Sequence, residues 1–116
     1  MTVERYINEK GEVGVLISGG YGAGWSTWAP ADHEFMLFDR GLVELALIDE
    51  ERKGSSTGET FNWVEQYMAK QNKDCYLGGW KGIYVIWMKP GTKFIVEESD
   101  GSETLRYRDG VRWTSA

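Results

Sequence analysis

The chain has 116 residues and a formal net charge of −5, with 41% hydrophobic and 27% charged residues. That length predicts one domain over 1–116, and folding should hide roughly two-thirds of the unfolded chain's surface in one modest core. The acidic balance argues against generic nucleic-acid binding, a single cysteine allows no intrachain disulfide, and no apolar run approaches a membrane span. In chain order, Glu12 to Ser18 is a short β-branched apolar run and reads as a buried strand. A glycine-aromatic loop from Gly19 to Pro30 follows. Asp39 is placed to cap a helix over about 40–53, with Leu42, Leu45, Ala46 and Ile48 towards one side. After the Gly54–Gly58 linker, Ser56 and Glu59 have capping-box spacing, with Thr60 as a competing cap. The helix they open runs over roughly 59–71 and carries the stripe Phe61, Val64, Tyr67 and Met68.

The remaining chain reads as strands. Ile83 to Met88 is apolar on both sides and is expected to be a central strand. Asp100-Gly101 between 93–98 and 103–108 is a strong hairpin signal. Centring the turn there pairs Val96 with Leu105 and Phe94 with Tyr107 on one face, and Ile95 with Arg106 and Glu97 with Thr104 on the other. A second turn at Asp109-Gly110 would set Trp113 opposite Arg106, sandwiching the guanidinium with Ile95. The expected class is α+β: an antiparallel sheet with C-terminal hairpins, and two helices packed on one face.

The charge is unevenly placed. Residues 1–80 carry 7 basic and 13 acidic side chains, and 81–116 carry 6 and 5. The most informative segment is Gly19-Gly20-Tyr21-Gly22-Ala23-Gly24-Trp25-Ser26-Thr27-Trp28. Its glycines suggest a phosphate cradle, but neither Gly-x-Gly-x-x-Gly nor Gly-Lys-Ser/Thr is present. Two other readings stay open. In one, the glycines let the backbone pass under Trp25 or Trp28. In the other, Tyr21, Trp25 and Trp28 form a recognition surface, with Gly22 and Gly24 allowing close backbone approach. Trp80, in Tyr76-Leu77-Gly78-Gly79-Trp80, could extend that surface, although core packing of Trp80 and Trp87 competes with this.

His33 lies between Asp32 and Glu34, and Cys75 follows Asp74. One histidine and one cysteine make no zinc set, and a solvated turn and a small buried thiol are their ordinary reading. No catalytic residue, metal site or cofactor is expected. Arg106, Arg108 and Arg112 form a basic strip near Trp113. Salt bridging with Glu97, Glu98 and Glu103 is the ordinary reading, and Arg106, Arg112 and Trp113 are the candidates for anion or partner contacts.

The run Gly20 to Trp28, with Phe38-Asp39-Arg40-Gly41-Leu42-Val43-Glu44-Leu45, Tyr76 to Trp80 and Gly101-Ser102-Glu103, resembles small accessory proteins of tailed bacteriophages. The likeness runs from about residue 12 to the C-terminus, and that family has no enzyme activity to transfer. It extends to the small non-capsid phage protein sensed by the CapRel fused toxin–antitoxin immune system of enterobacteria. The resemblance implies a non-enzymatic protein in the host bacterial cytoplasm that docks on the antitoxin-like domain of such a sensor and frees its toxin domain. A native task against a host defence enzyme is implied with it. The competing expectation is a sponge for nucleotide second messengers, with an indole stacked on the base and Arg106 or Arg112 on phosphate.

Overall fold

A computed structural model describes residues 3–19, 24–51, 59–75, 77–99, 102–107 and 114–115. The fold is α+β. Its strands are β1 (Val13–Ser18), β2 (Ile83–Met88), β3 (Lys93–Ser99), β4 (Ser102–Tyr107) and β5 (Thr114–Ser115). Its α-helices are α1 (His33–Phe38), α2 (Arg40–Glu51) and α3 (Glu59–Lys70). β1 and β2 pair antiparallel, while the other strands form a second antiparallel sheet in the order β4-β3-β5.

β1 is the centre of the molecule. All six of its residues are buried, because successive side chains point into two different clusters. Leu16 faces α2 and α3, packing with Leu42, Val43, Ala46, Val64 and Met68. Val13, Val15 and Ile17 face the other way, against Leu37 and Phe38 of α1 and Phe94 of β3. Fully burying aliphatic side chains such as these is worth about 1.5–3 kcal/mol each. The central strand is therefore β1 and not β2. Val13 makes an isolated bridge to Ile7, and Gly14 N–H donates to the Tyr6 carbonyl on the side away from β2. β2 has no second strand among the described residues, and Val85 N–H donates instead to Glu50 Oε1 of α2 at 3.2 Å. A side chain thus satisfies an edge that would otherwise present an open amide.

The Asp39 cap is observed: its Oδ2 accepts Leu42 N–H at 3.1 Å, three residues on. The α2 stripe is Leu42, Val43 and Ala46, while Ile48 faces solvent. In α3, Val64 and Met68 are buried and Phe61 and Tyr67 half-buried, as the spacing predicts. Thr60 is not the cap: it sits inside α3, and its hydroxyl donates to Asp49 Oδ1, tying α3 to α2. Ser56 lies outside the described residues. α1 corrects the expectation of two helices. Phe35, Met36, Leu37 and Phe38 are all buried, because the last turn of this short helix is wedged between the two clusters.

The β3–β4 register matches the expected one at every pair: Phe94 with Tyr107, Ile95 with Arg106, Val96 with Leu105 and Glu97 with Thr104. The second hairpin does not form as expected. β5 pairs with β3, Thr114 opposite Phe94 and Ser115 opposite Lys93, and so lies on the far side of β3 from β4. The helices are not confined to one face either, since Leu37 and Phe38 of α1 pack on the hairpin side of β1.

Candidate functional site

The glycine-aromatic loop is organised by a residue far away in sequence. Alternation along β4 puts Glu103 on the same face as Leu105, near the turn end of the hairpin, and it is 1% exposed. Its Oε1 accepts Ser18 N–H at 3.0 Å. Its Oε2 accepts Trp25 N–H at 2.7 Å, Thr27 N–H at 3.1 Å and the Thr27 hydroxyl at 2.6 Å. A buried carboxylate is tolerable only when such donors replace its water, and here they come from both ends of the loop. The expected salt bridging of Glu103 with the arginine strip is therefore incorrect. Ser102 adds a further tie, its hydroxyl donating to Gly19 O at 3.1 Å.

Within this frame the rings separate into two kinds. Trp25 is 0% exposed, its indole N–H donating to Met36 O at 2.6 Å and its ring centroid 5.7 Å from that of Trp80. Trp80 is 3% exposed. As partner contacts, which the sequence suggests, both are ruled out: they are core residues, packed in one cluster with Phe35 and Met36 of α1. Gly24 is buried too. A Cβ there would lie 2.6 Å from Trp28 Cδ1 and 2.7 Å from Thr27 Oγ1, so its missing side chain makes room for neighbours in its own chain. Gly79 serves the same packing from the other side. A Cβ on it would meet the Gly24 carbonyl oxygen at 2.4 Å, and Ser18 Oγ donates to Gly79 O at 2.7 Å.

Trp28 is the ring that faces outward, 40% exposed at the end of a 3₁₀ turn over Ser26–Trp28 that packs on β3. Tyr84 of β2 is 37% exposed, and a Cβ on Gly19 would stand 3.2 Å from its Cε1. Trp28 and Tyr84 thus lean on Gly24 and Gly19, the glycines that flank residues 20–23. Sequence reasoning missed Tyr84, whose place beside apolar neighbours in β2 suggests a core ring. Tyr21 and Gly22 lie outside the described residues, as do Arg108, Arg112 and Trp113 and the proposed sandwich on Arg106. The Arg106 backbone is placed opposite Ile95. A phosphate cradle gains nothing from Trp25 or Trp80, which cannot stack on a base from inside the core.

A second cluster forms around Asp32. Lys73 Nζ donates to Asp32 Oδ1 at 2.8 Å, and Cys75 Sγ lies 3.5 Å from Asp32 Oδ2. The bond from Lys73 holds the Asp32 carboxyl below its usual range, and the same bond raises the lysine. Burial, reinforced by the hydrogen bond to Asp32, pushes the Cys75 thiol up to about 11, the opposite of an activated nucleophile. His33 Nδ1 stands 3.5 Å from Ser26 O, whereas the Cys75 thiol has Asp32 as its hydrogen-bond partner. Asp32, His33 and Lys73 border a cleft of about 640 Å³ with Glu4, Glu34 and Phe35, whereas Cys75 does not line it. Among the described residues no group of three or more His, Cys, Asp or Glu side chains is arranged to hold a metal ion, and no helix is long and apolar enough to cross a membrane.

No family model matches the chain, and neither the curated proteins nor the solved structures contain a match to it.

Proposed function

We propose that this chain works by docking on another protein and performs no chemistry of its own, with Trp28 as the anchor. The observation that carries this reading is the contrast between two tryptophans three residues apart. Trp25 is sealed in the core, whereas Trp28 stands 40% exposed on a turn pinned by Glu103. A large ring presented on a fixed backbone loses little freedom on contact, and such rings tend to dominate interface energetics. Tyr84, 37% exposed on β2, is a second ring open to contact. The arrangement around Cys75 supports the non-catalytic reading, because the one thiol is held protonated.

The partner to test first is the antitoxin-like domain of a CapRel-type toxin–antitoxin sensor in the bacterial cytoplasm, on the strength of the resemblance to small accessory proteins of tailed phages. Docking there would free the sensor's nucleotide pyrophosphokinase-like domain. Detection brings a phage no benefit, so the trigger would be secondary to a native role against a host defence enzyme. The test mixes the purified chain with the purified sensor, following complex formation by size-exclusion chromatography and pyrophosphate transfer by product analysis. A stable complex with the toxin domain switched on is expected. A sensor that neither binds nor changes activity at tens of micromolar, roughly the edge of specific protein binding, would remove this partner.

A further inference from the structure

A second concavity, about 480 Å³, opens between the turn at residues 8–12 and the end of β2. Tyr6, Ile7 and Trp87 supply its apolar surface, and Glu9 and Glu12 bring carboxylates to its rim. The rings of Tyr6 and Trp87 meet with centroids 5.7 Å apart and planes tilted by 55°. Ile7, beside them, is 51% exposed. Gly14 creates the seat for Trp87, since a Cβ there would come within 3.2 Å of Trp87 Cζ3. The rim is fixed by Asn8, whose Oδ1 accepts the backbone N–H groups of Lys10 and Glu12 at 3.0 and 2.9 Å. Asn8 Nδ2 donates to Glu12 Oε1 at 3.1 Å. The second oxygen of Glu12 and both of Glu9 have no partner among the described residues.

A guanidinium near the Tyr6 ring is already engaged elsewhere, Arg40 Nε donating to Glu44 Oε1 at 3.1 Å. The Arg40 head group stands 6.0 Å from the centre of the Tyr6 ring, yet Arg40 does not line the concavity. The groove therefore offers an aromatic wall and two carboxylates against the single ammonium of Lys10. We propose that it is a docking site for an arginine side chain of a partner protein. The planar guanidinium lies on Trp87, its apolar stem on Ile7, and its N–H groups donate to Glu9 and Glu12. Arginine fits better than lysine because its flat, weakly hydrated head stacks on a ring and can still reach carboxylates in its own plane. The site shares no residue with the Trp28 surface, so either assignment can fail alone.

The test is a titration of the isotope-labelled full chain, with the amidated tripeptides Gly-Arg-Gly, Gly-Lys-Gly and Gly-citrulline-Gly as probes. The readouts are the Trp87 indole N–H and the Ile7 amide. Saturable shifts with the arginine peptide are expected at these two positions, about fivefold weaker binding with lysine, and no saturation with the neutral citrulline isostere. The double variant Glu9→Gln, Glu12→Gln keeps the Asn8 contact through an amide oxygen and should weaken the arginine peptide by about fivefold, with the remaining spectrum unchanged. Trp87→Phe should weaken it as well. Equal binding of the citrulline or lysine peptide, unaltered affinity in the double variant, or shifts scattered away from Trp87 and Ile7 would each overturn the proposal.

Discussion

The Glu103 carboxylate accepts the backbone N–H of Trp25 at 2.7 Å across 78 residues of sequence. This bond joins the C-terminal hairpin to the loop that decides which rings are buried. Ser18 and Thr27 share the same carboxylate, so one side chain sets both the start and the end of the loop. Losing it removes four hydrogen bonds at once and leaves the Ser18 and Trp25 N–H groups buried without an acceptor.

Replacing Glu103 by Gln is the sharpest test of that clamp. The amide keeps the volume but turns an N–H₂ group towards donors that need an acceptor. We expect a loss of about 2–4 kcal/mol, read from the urea midpoint, because buried donors go unsatisfied. A change below about 0.5 kcal/mol, typical of a surface position, would mean that the clamp does not hold the loop.

Gly79→Ala and Gly11→Ala should separate two uses of glycine. At Gly79 the new methyl group meets the Gly24 carbonyl oxygen at 2.4 Å and its carbon at 2.9 Å, and backbone cannot step aside cheaply. Gly11 has φ +78° with nothing within 4 Å, so only conformational preference is at stake. Urea unfolding should show about 1 kcal/mol lost at Gly11 and clearly more at Gly79.

The Asp32 cluster makes a prediction about pH. In the folded chain the Cys75 thiol is raised from 9.0 to about 11, so the native state holds that proton after the unfolded chain has released it. Stability should fall as pH rises from about 9 to about 11 through this group. At pH 8 alkylation by iodoacetamide should be slow, and Asp32→Asn, which removes a raising influence, should speed it. Asp32 works in the opposite direction. Its depressed carboxyl stabilises the fold above the ordinary aspartate range, and that contribution is lost as pH falls through its folded value. The difference in urea midpoint between the wild type and Lys73→Met should accordingly vanish in acid.

Much of this architecture is legible in the sequence where local rules decide. The β3–β4 register follows from Asp100-Gly101 and strict alternation, and the α2 start follows from Asp39. α1 was not legible, because Phe35 to Phe38 are buried on every side and show no helical stripe. The turn signal at Asp109-Gly110 directs the C-terminal segment to β4, whereas β5 pairs with β3. The site is where local reading fails most plainly. Trp25 and Trp28 have the same chemistry and the same glycine-rich surroundings. Only the acceptor at Met36 O and the clamp from Glu103 send the first inward. The one signal available was the parity of Glu103, which shares a hairpin face with Leu105 and so points to the interior.

If the exposed indole of Trp28 is the docking element, Trp28→Ala should lose binding and keep its fold. Its affinity for the purified sensor should be measured by calorimetry alongside its urea midpoint. We expect a midpoint within about 1 kcal/mol of wild type, since Trp28 is 40% exposed, and binding weakened at least about tenfold. Wild-type affinity in a folded Trp28→Ala chain would contradict a docking role for Trp28.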